Sequence, residues 1–80
     1  MAAKTPTTTP RTDADVRAEL HARHGAGISV RILAEALGMD RGAVTAALAG
    51  SAKAGTYALI RERWCDLDDR IGAIRARRAA

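Results

Sequence analysis

Few side chains in this sequence have the types and spacing that covalent or metal chemistry requires. Cys65 is the single thiol, and no histidine stands near it in the sequence to act as its base. His21 and His24 lie three residues apart, but no cysteine or clear third ligand accompanies them. The GAG segment at 25–27 lacks the lysine and hydroxyl of a phosphate-binding loop. We therefore predict that the chain is not an enzyme and uses no metal, cofactor or small-molecule substrate.

The charge balance indicates a different kind of partner. Thirteen Lys and Arg residues against nine Asp and Glu give a formal net charge of +4, which suits a polyanion. One cysteine cannot form an intramolecular disulfide, and no apolar run is long enough for a membrane span or a signal peptide. These features predict a cytoplasmic protein with no membrane partner.

Composition and length predict the fold class. Eighty residues with one Trp, one Tyr and no Phe must build a single core from Ala, Leu, Ile and Val, which favours an all-α domain. Residues 1–12 contain Pro6 and Pro10 among threonines and are predicted to form a disordered arm, so the domain covers 13–80. The first helix is predicted to begin at Asp13 as its N-cap and to end at Gly25.

Two further helices are predicted on either side of a tight turn. Ser29 is expected to cap the second helix, and Gly38 ends it because a tight turn requires a residue that tolerates positive φ. Asp40 is expected to cap the third helix, which stops at Gly50. These three helices would form the core of the domain.

The C-terminal third carries a regular apolar stripe. Its members are spaced three, four, three, four and three apart: Tyr57, Ile60, Trp64, Leu67, Ile71 and Ile74. This spacing predicts one long helix over 56–78, capped by Thr56. The alternative is a β-hairpin wing after Gly55, which is disfavoured because 57–65 contains no Gly, Asn, Asp or Pro for its turn.

Two roles are open to this stripe. It can close the core, or its later part can form a homodimer interface about a two-fold axis. The residues predicted for the interface are Trp64, Leu67, Ile71 and Ile74.

The offsets of four from Ala34 to Gly38 and of six from Gly38 to Val44 match the pattern of the helix-turn-helix motif. On these residues, the segment from Ile28 to Gly50 resembles bacterial and phage helix-turn-helix repressors. The stretch LAEALGMDRGAVTAALAG is similar to lambda-repressor-like regulators. GMDRGAVT followed by KAG is similar to winged-helix regulators of the MarR type, although Ser51 stands where those proteins place an apolar residue.

The resemblance implies how the chain would bind double-stranded DNA. The third helix would enter the major groove and present five residues outward: Arg41, Gly42, Thr45, Ala46 and Ala49. Arg31 and Lys53 would hold phosphates. On this basis we expect a sequence-specific transcriptional regulator, a dimeric repressor of phage or mobile-element type. The alternatives are a helical protein-interaction module, such as a phage inhibitor or adaptor, and a non-specific nucleoid or DNA-packaging protein.

Overall fold

The structure, a computed structural model, describes residues 9–79. Its helices are α1 (Asp13–Gly25), α2 (Val30–Leu37), α3 (Arg41–Ala49), α4 (Ala54–Glu62) and α5 (Leu67–Ala79). Over this range the chain is all-helical without a strand, so the all-α prediction is confirmed. The alternative of a wing after Gly55 is wrong, because α4 occupies that segment. None of these helices combines the length and the apolar content needed to cross a bilayer.

The predicted disordered arm lies mostly beyond the part of the chain that the structure describes. Residues 1–8 of the arm are outside it, whereas Pro10 lies inside it and is buried. The cap of α1 is Thr12 rather than Asp13, because the Thr12 hydroxyl oxygen accepts the backbone N–H of Asp15 at 3.1 Å. Asp13 and Asp15 lie in the first turn, where the helix dipole favours negative charge.

Local chemistry at the helix ends determines where α2 begins and where α2 and α3 end. Ser29 caps α2, since its hydroxyl oxygen accepts the N–H of Ile32 at 3.2 Å. Gly38 ends α2 with φ of 66°, a left-handed conformation that side chains other than glycine rarely adopt. Asp40 precedes α3 without a side-chain capping bond, and Gly50 ends it with φ of 80°. Only three residues therefore join the two helices.

The C-terminal segment is two helices, and the prediction of one helix over 56–78 is wrong. Lys53, not Thr56, is the N-cap of α4. Residues 63–66 form turns, in which the N–H of Leu67 donates to the carbonyl oxygen of Trp64 at 3.0 Å. A continuous helix of that length would extend about 33 Å and project past three short helices. The break instead allows α5 to pack along α2.

The apolar stripe of this segment lies inside the molecule. All six members are at most 5% exposed: Tyr57, Ile60, Trp64, Leu67, Ile71 and Ile74. The rest of the core comes from the first half of the chain: Val16, Leu20, Ile28, Leu33, Ala34, Ala36, Leu37, Val44, Ala47 and Leu48. The four residues predicted for a dimer interface therefore serve the core of one chain instead. A homodimer remains a prediction, and it would need another surface.

Arg23 connects α1 to the start of α5 across the ring of Trp64. Its guanidinium carbon lies 4.7 Å from the ring centroid, and its Nε donates to Asp68 at 2.9 Å. Burial alone would lower the pKa of Arg23, but the hydrogen bonds and charges of Asp68 and Glu19 outweigh burial and raise it. The Nε1 of Trp64 is buried and has no hydrogen-bond partner in the described chain.

Candidate nucleic-acid interface

One face of α3 is turned toward solvent. Val44, Ala47 and Leu48 are buried on its inner side. The five residues predicted to read DNA lie on the other side: Arg41, Gly42, Thr45 and Ala49 are exposed, and Ala46 is half-buried. The structure thus brings these five together on one exposed surface, which we call the α3 face.

The hydroxyl of Thr45 is engaged with its own helix. It donates to the carbonyl oxygen of Arg41 at 2.9 Å, one turn earlier. A phosphate oxygen can only accept, so this hydroxyl cannot donate to a phosphate without breaking that bond. Its methyl group and its remaining acceptor capacity stay available. Thr45 is thereby better suited to contact a base edge than a phosphate.

Positive charge on and next to the α3 face is not neutralised by the protein. No Asp or Glu occurs between Arg41 and Arg61. Arg41 and Lys53 are exposed, and neither forms an ion pair within residues 9–79. Arg61, by contrast, donates to Asp13 at 2.7 Å. These two cations, which have no ion pair in the described chain, are among the residues that the sequence predicts to contact DNA.

Arg31 is also exposed, but its surroundings differ from those of the α3 face. It lies at the start of α2 and lines a surface hollow together with residues near the end of α5. Arg31, which is predicted to hold a phosphate, therefore lies beside the end of α5. The sequence predicted only core and dimer roles for that segment.

The last turn of α3 is held by side chains to which the sequence assigned no part in positioning this helix. The last carbonyl groups of a helix lack partners within it. The buried hydroxyl of Tyr57 donates to the carbonyl oxygen of Ala47 at 3.1 Å. Arg17 Nε donates to the carbonyl oxygen of Leu48 at 2.9 Å, and His21 Nε2 lies 2.7 Å from the same oxygen. Since a carbonyl only accepts, His21 carries its hydrogen on Nε2.

These three side chains come from α1 and α4, so they fix α3 relative to the body of the domain. The sequence offered a signal for two of them, because Arg17 and His21 are four apart and share a helix face. That spacing does not predict their common partner, the carbonyl oxygen of Leu48, which is 31 residues from Arg17 and 27 from His21.

The turn between α2 and α3 is also held by a side chain from elsewhere in the chain, Arg63, which lies between α4 and α5. Arg63 Nη1 donates to the carbonyl oxygen of Leu37 at 2.6 Å and to that of Gly38 at 3.0 Å. A Cβ atom at Gly38 would lie 3.2 Å from the same nitrogen. The positive φ favours glycine here, and a Cβ atom would in addition displace the end of the Arg63 side chain slightly.

Comparisons with known proteins assign the chain to no family. No family model, no curated protein and no solved structure matches the chain. The similarity to lambda-repressor-like and MarR-type regulators therefore rests on the residues of 28–55 alone. What the protein binds has to be inferred from the chemistry of its surface.

Proposed function

We propose that this protein binds double-stranded DNA as a helix-turn-helix module, with α3 in the major groove. The observation that carries the proposal is the α3 face: an exposed, acid-free helix surface with an unpaired arginine at its start, joined to α2 by three residues. A helix of nine residues is about 13.5 Å long, a size that the major groove accepts. The turn and the last turn of α3 are both tied to the rest of the domain, so the helix would meet DNA in a preset orientation.

In this proposal, the side chains of the α3 face have distinct roles. Arg41 would fork onto O6 and N7 of a guanine, which contributes about 1–3 kcal/mol of discrimination. Thr45 would place its methyl group against a thymine methyl. Gly42, Ala46 and Ala49 are small and allow the helix backbone to approach the bases closely. Lys53 and Arg31 would hold phosphates on either side and set the register.

The biological role that follows is regulation of transcription, with the protein acting as a repressor of phage or mobile-element type. One arginine and one threonine form a small set of base-reading groups. A homodimer that reads two half-sites would double that set. Such a dimer has to use a surface other than the buried stripe.

The proposal is tested by gel shift with the DNA upstream of the protein's own gene and with random DNA of equal length. We expect the upstream fragment to bind more tightly, and Arg41→Ala to reduce this preference about 5- to 150-fold. Arg61→Ala is the matched control, because it removes one positive charge from a side chain that already pairs with Asp13. Its preference should equal that of the wild type.

The same experiment distinguishes the rival functions. Equal binding to all DNA with a steep salt dependence would identify a nucleoid or packaging protein. Absence of binding at low salt would exclude a DNA-binding function and favour a protein-interaction module. Full preference in Arg41→Ala would show that α3 is not the reading helix.

A further inference from the structure

Charged side chains at the end of α5 gather beside the start of α2. Arg31, Glu35, Ile74, Arg77 and Arg78 line one open hollow of about 320 Å³. Arg77 Nη2 lies 3.3 Å from one carboxylate oxygen of Glu35, and Arg78 Nη2 lies 3.9 Å from the other. Arg77 and Arg78 therefore share one carboxylate, and with Arg31 in the same hollow the four charged residues carry a local net charge of +2. We call Arg31, Glu35, Arg77 and Arg78 the α2–α5 basic surface.

These charges are not needed to hold α5 in place. The side chains of Arg77, Arg78 and Glu35 are 73%, 42% and 47% exposed, and ion pairs between exposed groups contribute little to stability. The helix is anchored by Ile71 and Ile74, which are at most 5% exposed. An excess of guanidinium groups at an exposed site is instead suited to an external polyanion.

We propose that the α2–α5 basic surface is a second phosphate-binding surface, which holds the DNA backbone next to the groove that α3 occupies. This inference rests on the proposed function, in which Arg31 at the start of α2 contacts a phosphate. Arg77 and Arg78 line the same hollow as Arg31, so a backbone that reaches Arg31 comes within reach of both. Phosphate oxygens then replace Glu35 as acceptors, since planar guanidinium groups bind phosphate in a bidentate manner.

Contacts of this kind have a defined signature. Phosphates are the same in every sequence, so the surface adds affinity without adding preference for a site. Each phosphate contact also releases counterions and steepens the dependence of binding on salt by about 0.9 in the double-logarithmic slope. Glu35 opposes binding because its carboxylate occupies Arg77 and Arg78 in the free protein.

The test is a salt titration of binding to the upstream fragment and to random DNA. The variant Arg77→Gln/Arg78→Gln removes two charges from the surface. The charge-matched control Arg61→Gln/Arg75→Gln removes two positive charges that lie outside this surface. Arg61 pairs with Asp13, and Arg75 does not line the hollow. Helical content and thermal unfolding of each variant are measured first, and both are expected to be unchanged since the substituted residues lie outside the core.

We expect the first variant to bind both DNAs more weakly while keeping the preference between them. The ratio of wild-type affinity to variant affinity should shrink about twelvefold between roughly 50 and 200 mM salt, as two lost contacts require. Glu35→Gln should bind both DNAs more tightly than the wild type. The control should keep the wild-type salt slope.

Two results would overturn this inference, and they differ from failure of the proposed function. If the wild type binds but Arg77→Gln/Arg78→Gln retains its salt slope, the surface does not contact phosphates. If both double variants lose affinity equally, only the net charge of the protein matters. If the wild type binds no DNA at all, the proposed function fails, and this inference fails with it.

Discussion

The hydroxyl of Tyr57 provides a sharp test of how α3 is positioned. It is the one group from α4 shown to bond the last turn of α3, donating to the carbonyl oxygen of Ala47 at 3.1 Å from a side chain that is 5% exposed. The substitution Tyr57→Phe removes this hydroxyl and keeps the ring that packs in the core. The change in stability therefore reports the hydrogen bond rather than the packing.

The expected loss of stability in Tyr57→Phe depends on which hydrogen bonds the carbonyl oxygen of Ala47 retains. Its other contact is the backbone N–H of Gly50 at a long 3.3 Å, so loss of the hydroxyl leaves it poorly satisfied in the interior. A buried hydrogen bond of this kind contributes about 1–1.5 kcal/mol to the free energy of unfolding. For a domain of this size, each kcal/mol lowers Tm by roughly 4–8 °C, so we expect a decrease of about 4–12 °C.

Thermal unfolding followed by circular dichroism, together with urea unfolding, measures this effect. The control is Thr45→Val, which removes a hydroxyl bonded to a carbonyl of the same helix but at an exposed position, where less than about 0.5 kcal/mol is expected. If Tyr57→Phe is as stable as the wild type, or changes no more than the control, the hydroxyl does not hold α3 and the reasoning is refuted.

Two further predictions concern the core and the helix caps. Ile71→Ala should lower the free energy of unfolding by about 2–5 kcal/mol without changing the molar mass in solution, because Ile71 is 4% exposed within one chain; a variant that dissociates a dimer yet keeps the fold would instead place Ile71 at an interface. Ser29→Ala should cost about 1 kcal/mol in urea unfolding, since the Ile32 N–H loses its acceptor, whereas Asp40→Ala, which breaks no capping bond, should cost about 0.5 kcal/mol through the helix dipole. Equal costs for the two caps would contradict the hydrogen-bonding pattern at these positions.

Part of the candidate site could be predicted from the sequence. The exposed side of α3 follows from helical periodicity once its ends are known, and Arg41, Gly42, Thr45 and Ala49 are exposed as expected. The supporting contacts could not be predicted in the same way. Arg63 bonds carbonyl oxygens 25 and 26 residues earlier, and no spacing along the chain encodes such a pair.

The sequence by itself determined the all-helical class, the start of α2 and the C-terminal ends of α2 and α3. Those ends depend on local chemistry: a serine hydroxyl within reach of a free N–H, and glycines at Gly38 and Gly50 that adopt positive φ. Only the tertiary structure decided how the apolar stripe is used. Spacing of three and four is compatible with one long helix, with a dimer seam or with two helices that fold back, since all three present the same residues to an apolar environment. The structure has two helices, because the chain turns at 63–66 and α5 packs against α2. Residues 63–66 contain no glycine or proline, so the local sequence gives no signal for this turn.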